Sequence, residues 1–155
     1  NMKLFIFTLL LFVFQIGVAQ DATQRKNNFN LTRNGVALSG YDPVSYFKSP
    51  EPKKGEAKWS YTYKGVTYWF SSASNRSEFV NSPAAYEPSY GGWCAYALGT
   101  SGEKVEVDPL TYKIYQGKLL LFYNRLFTNT LTLWNKDEDT FFTTAEKNWP
   151  SIINH

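Results

Sequence analysis

Two tyrosine-rich hairpins, proline- and glycine-marked breaks between them, and an apolar stripe near the C-terminus predict an α+β fold. The expected form is a small antiparallel sheet built from two β-hairpins, with short helices packed on it and a C-terminal helix. The 155 residues include 12 Phe, 11 Tyr and 5 Trp. That aromatic load suits a packed chain and not a disordered one, and the length suits one domain with its own core.

At the N-terminus, Lys3 precedes an almost wholly apolar run from Leu4 to Val18, and Gly17-Val18-Ala19 offers a small-x-small cleavage site before Gln20. These features predict a signal peptide over residues 1–19. The run is shorter than a comfortable membrane span and contains Gln15, so no stable span is expected after cleavage. The expected location is periplasmic or secreted. Residues 20–37 are polar and Asn-rich and read as a flexible entry segment, which leaves 38–155 as the domain.

Within the domain, Gly40 to Phe47 is the first compact apolar cluster, and Lys48 to Lys58 reads as an exposed loop. Trp59 to Phe70 is a hairpin, since Trp59, Tyr61 and Tyr63 alternate with Ser60 and Thr62 and Lys64-Gly65 supplies the turn. Ser71-Ser72 offer hydroxyl caps to a short helix through Phe79 that stops near Ser82, ahead of Pro83. Tyr90 to Leu98 reads as a strand with Trp93, Ala95 and Ala97 on one face, followed by a turn at Gly99 to Gly102. A second hairpin runs from Thr111 to Tyr123 about Gln116-Gly117. Phe141, Phe142, Ala145 and Trp149 share the stripe of a last helix, with Asp139 as its N-cap and Pro150 as its end. The spacing Tyr63-x-Gly65-x-x-x-x-Phe70 recurs 52 residues on as Tyr115-x-Gly117-x-x-x-x-Phe122. It is read either as a duplication or as a shared turn type.

Net charge is only +3, and no run of Lys or Arg exceeds two residues, so a phosphate-tracking nucleic-acid surface is not expected. Met2, Cys94 and His155 are each the sole residue of their type. One chain therefore cannot assemble a site from several His, Cys or Met ligands. Cys94 reads either as a thiolate ligand or as a small buried hydrophobe. Asp42, fixed in extended backbone by Pro43, reads as an Asx-turn cap or as a ligand, and Asp108-Pro109 repeats that dipeptide. Glu103, Glu106 and Asp108 match no calcium loop. Asp137-Glu138-Asp139 suits a helix N-terminus. Tyr41, Tyr46, Tyr90, Tyr96 and Tyr123 form either a ligand wall or core.

Four blocks stand in order: Asp42-Pro43-Val44; Tyr68-Trp69-Phe70-Ser71-Ser72 through Phe79; Asn81-Ser82-Pro83-Ala84-Ala85-Tyr86; and Tyr90-Gly91-Gly92-Trp93-Cys94-Ala95-Tyr96-Ala97. The first three resemble the YHS domain. The fourth, with Asn148-Trp149-Pro150, resembles a bacterial secreted branch of YHS-domain proteins, and the likeness covers roughly residues 38–150. It implies association with a metal through thiols. The positions of those thiols here hold Ser71 and Asn75, and the cysteine often found after Asp-Pro-Val is Ser45. A hydroxyl or an amide is a poor substitute for thiolate.

The resulting expectation is a non-catalytic YHS-like binding module for a metal ion or small ligand in the cell envelope. Its candidate ligand-binding residues are Asp42, Tyr46, Tyr90 and Cys94, in one concavity, with Asp42 and Cys94 the candidate metal ligands. A metal ion is the candidate cofactor, and a small ligand or an envelope protein the candidate partner. Two alternatives stand beside it. One is a protein-interaction module using an aromatic surface. The other is an enzyme using Cys94 or the carboxylates, against which the lack of an internal histidine counts.

Overall fold

A computed structural model describes residues 21–155, so the predicted signal peptide lies outside the described residues. The architecture is α+β. Three antiparallel two-stranded sheets, each a hairpin, are accompanied by short helices and a C-terminal helix. β1 (Glu56–Tyr63) pairs with β2 (Val66–Phe70), β3 (Asp108–Tyr115) with β4 (Lys118–Phe122), and β5 (Asn124–Arg125) with β6 (Thr128–Asn129). The turns at Lys64-Gly65 and Gln116-Gly117 join antiparallel strands. Both central residues of each have positive φ, the primed-turn geometry that matches strand twist.

The entry segment is packed, contrary to the flexible reading. Residues 21–28 form α1, and Phe29, Val36 and Ala37 are buried. Arg25 lies over the rings of Phe29 and Tyr63, 4.4 and 5.5 Å from their centroids. These apolar anchors are too sparse to form a pattern in the sequence, yet they close the first core. After α2 (Ser45–Lys48) and the first hairpin comes α3 (Ala73–Asn81). Ser72 caps it by accepting the Asn75 N–H, and Pro83 opens the following turn α4 (Pro83–Tyr86).

Tyr90 to Leu98 is not the predicted strand. Tyr90, Gly91 and Gly92 have φ of 55°, 60° and 84° within a 3₁₀ turn, Ser89–Gly92, and α5 (Ala95–Gly99) follows. Three consecutive left-handed residues turn the chain out of extended geometry. Only Pro88 and Cys94 keep isolated parallel bridges, to Leu119 and Leu121 of β4. Glycine is required at 91, where a Cβ would come within 2.8 Å of Trp149. α6 (Thr130–Trp134) precedes α7 (Glu138–Ile153), whose N-cap position is Asp137, with Glu138 and Asp139 in its first turn. Pro150 lies inside α7, not at its end. It is one turn from the C-terminus, where few hydrogen bonds remain for it to break.

β4 divides the core. Its alternate residues Leu119 and Leu121 face one cluster, with Val44, Tyr68, Phe70 and Phe79. Leu120 and Phe122 face the other, with Leu98, Trp134, Ala145 and the α7 stripe. A strand buried on both faces loses the polar alternation of a half-exposed one, which explains the continuous Leu119-Leu120-Leu121-Phe122.

The two hairpins are structural repeats at the 52-residue offset. Glu56↔Phe70, Ser60↔Trp69 and Tyr63↔Val66 correspond to Asp108↔Phe122, Tyr112↔Leu121 and Tyr115↔Lys118, with the register break in the same place. Each is flanked by a parallel bridge at the same offset, Val36↔Thr67 and Pro88↔Leu119. Leu38, Ser39 and Gly40 have the positive φ values of Tyr90, Gly91 and Gly92. Asp42 N–H bonds the Lys53 carbonyl at 2.8 Å, as Cys94 N–H bonds Val105 at 2.9 Å. Agreement in register, irregularity and loop geometry is what duplication of one unit leaves. A shared turn type does not require it.

Candidate functional site

Asp42 is fully buried. Pro43 holds it extended, so that Oδ1 accepts the Val44 N–H at 2.9 Å in the Asx turn the sequence predicts. Oδ2 accepts three further donors: Ser71 N–H at 2.9 Å, Ser71 Oγ at 2.6 Å and Asn75 Nδ2 at 2.7 Å. Asn75 also reaches Ser71 Oγ at 3.4 Å. Ser45 Oγ donates to the Asp42 carbonyl at 2.6 Å and accepts Lys53 N–H at 2.8 Å. The three positions at which the YHS resemblance implies thiols are thus occupied by hydrogen-bonding groups around Asp42, Ser71 and Asn75 on its carboxylate and Ser45 on its main-chain carbonyl. Both carboxylate oxygens face N–H or O–H donors, and this donor set does not fit a metal ion. Among the described residues, no three His, Cys, Asp or Glu side chains group so as to hold one.

Cys94 occupies the repeat-equivalent place in the second half. Tyr123 N–H approaches its Sγ at 3.4 Å, just as Ser71 N–H reaches Asp42, and Thr130 Oγ1 lies 3.3 Å from the sulfur. The thiol is fully buried. Asp42 and Cys94 share no hydrogen-bonding partner. They sit at corresponding corners of different hairpins, each bonded within its own repeat. Tyr46 is buried with its O–H on the Pro109 carbonyl at 2.8 Å and its ring edge-on to Tyr112, centroids 4.9 Å apart. Asp108 caps its own turn, accepting Leu110 N–H at 3.0 Å and Thr111 Oγ1 at 2.8 Å.

Of the four predicted ligand residues, Tyr90 borders an open cleft. That cleft, of about 290 Å³, lies between α1, the segment before the 3₁₀ turn, the β3–β4 turn and α7. Phe29, Tyr90 and Trp149 supply its aromatic surface, and Arg25, Glu87, Lys118 and Glu146 its charges. Arg25 Nη2 donates to Glu87 Oε2 at 2.6 Å, with both side chains largely enclosed. The same oxygen accepts the O–H of buried Tyr68. Across the cleft, Tyr90 O–H donates to Glu146 Oε1 at 3.0 Å, and Lys118 Nζ bonds Oε2 at 2.9 Å.

Each half of the cleft therefore repeats one arrangement, a phenol and a cation converging on a glutamate. Burial pushes both phenols well above their usual range, and the charges of Glu87 and Glu146 push them further. Neither tyrosine serves as a base near neutrality, and both stay hydrogen-bond donors. The sequence did not single out Arg25, Glu87 or Glu146. Arg25 and Glu87 are 62 residues apart, and no local pattern links them.

No family model matches the chain, and neither a curated protein nor a solved structure matches it.

Proposed function

We propose that the chain is a non-catalytic, YHS-like binding module of the cell envelope whose ligand is a small, neutral, hydroxyl-rich molecule of about monosaccharide size. The observation that carries this is the charge pairing of the Tyr90 cleft. Two cations and two carboxylates line it, each cation already bonded to a carboxylate, so the cleft offers directional hydrogen bonds without a net field. Such a surface suits hydroxyl groups, which donate and accept, and Trp149 and Phe29 supply apolar area for a ring face. A volume near 290 Å³ lies at the low end of small-molecule sites. The envelope location rests on the predicted signal peptide. A metal ion is not part of the reading, because the carboxylate at the YHS-like corner is saturated by donors.

The test is two-dimensional NMR of the protein titrated with a panel of neutral mono- and disaccharides. The expected result is saturable shifts at Gly117, Lys118 and the Trp149 indole for at least one sugar, weakened tenfold or more by Trp149→Ala. Shifts scattered over the surface, or none with any sugar, would sink the proposal.

A further inference from the structure

Among the described residues, three hairpins close with two-residue turns, and all six central residues have positive φ. In the first two the second position is glycine. In the third, β5–β6, the turn is Leu126-Phe127, with φ of 49° and 68°. Positive φ at both positions is the geometry for which Asn-Gly is preferred, and Leu and Phe are poor choices for it. They are also the two most exposed large hydrophobics among the described residues, at 86% and 111% of their reference areas. A strained turn holding two apolar side chains out in water helps neither the backbone nor the core.

We propose that the β5–β6 tip is a membrane-docking finger that inserts Leu126 and Phe127 into the interface of an anionic lipid bilayer. Charge favours this occupant. Arg125 stands beside the apolar pair, exposed and with no carboxylate partner among the described residues. From Asn124 to Lys136 the sequence has two cations and no Asp or Glu, and the carboxylate linked to the base of the finger, Asp108, is held there by Leu110 N–H and Thr111 Oγ1. Apolar side chains that enter the headgroup boundary with a cation left at phosphate level are the two components of interfacial binding. Rigidity adds to this. Asn124↔Asn129 and Arg125↔Thr128 pair directly behind the tip, and the Asn129 side chain caps α6 by accepting Leu131 N–H at 3.0 Å. The finger is therefore held in place before it meets a surface, and little ordering is left to be done on docking.

The test is vesicle flotation with residues 20–155, which hold every described element, using phosphatidylglycerol–phosphatidylcholine vesicles and phosphatidylcholine vesicles at low salt. The wild-type chain should float with the anionic vesicles and bind the neutral ones at least tenfold less. The double variant L126N/F127G should lose at least tenfold in binding to the anionic vesicles while melting at a higher temperature, because it installs the preferred turn. That combination cannot arise from misfolding. Arg125→Ala should reduce binding to the anionic vesicles alone. Failure of the wild-type chain to float with either vesicle, or flotation of the double variant at the wild-type level, would overturn the proposal. The first of these would leave an apolar pocket on a protein as the occupant.

Discussion

Asp42 shows how a residue that looks like a ligand can be a fastener. Its carboxylate accepts four hydrogen bonds from three residues, joining the Asp42 turn, the end of β2 and the first turn of α3. Removing it strands several buried donors at once, each costing about 1–3 kcal/mol when left unpaired. Asp42→Ala should therefore destabilise the protein by about 3 kcal/mol or more in urea unfolding, whereas Ser71→Ala, which deletes one donor of the set, should cost only about 1 kcal/mol. A loss under ~1 kcal/mol for Asp42→Ala would show that water replaces the network. The Asx-turn half of this role was legible, since Asp-Pro fixes the backbone locally. The other half joins residues about thirty positions apart, and no spacing rule foretells it. The same limit applies to Cys94. Its thiol was visible as the only one, but its niche of Tyr123 N–H and Thr130 Oγ1 comes from the residue that follows β4 and from α6.

Among the elements, the hairpins were readable because a glycine at a two-residue turn and alternating aromatics are local signals. The 90–98 segment was misread because Trp93 to Leu98 alternates like a strand, while the left-handed run that ends extended structure lies just before it, at Tyr90-Gly91-Gly92. The 52-residue repeat carried the missing signal. Leu38-Ser39-Gly40 bends the chain in the same way, but the pairs Leu/Tyr and Ser/Gly hide the equivalence. The repeat also separates intrinsic turn cost from packing. A Cβ at Gly117 meets nothing within 4 Å, whereas one at Gly65 would lie 2.7 Å from the Ala22 carbonyl oxygen. Gly117→Ala should therefore cost only the left-handed penalty, about 1 kcal/mol. Gly65→Ala should cost roughly twice that or more, because α1 must also shift. Thermal unfolding of the pair measures the difference. Equal losses would mean that α1 is not seated on the first turn.

At the level of the whole molecule, three buried phenols make the fold sensitive to alkali. Tyr46, Tyr68 and Tyr90 are each at most 3% exposed. In all three, burial is the main cause that raises the pKa well above the ordinary 10.0, and neighbouring charges add to it: Tyr41 most at Tyr46, Glu87 at Tyr68 and Glu146 at Tyr90. These residues lie in both cores, so they report on global and not local stability. In the unfolded chain each phenol ionises near 10, while in the native state each keeps its proton. Above that pH the folded protein binds more protons than the unfolded one, and stability must fall as pH rises. The contribution from keeping the phenols neutral is complete below pH 10 and is lost progressively above it. With three such groups the limiting slope is about 4 kcal/mol per pH unit, which exhausts a typical domain stability of about 5–15 kcal/mol within a few units. The protein should then unfold cooperatively in alkali, with tyrosinate absorbance and loss of circular dichroism rising together. Replacing Tyr90 by Phe should flatten the slope by about a third, by removing one linked proton. Gradual tyrosinate absorbance well before any loss of structure would show that these phenols ionise in the folded state and that the two cores do not hold them neutral.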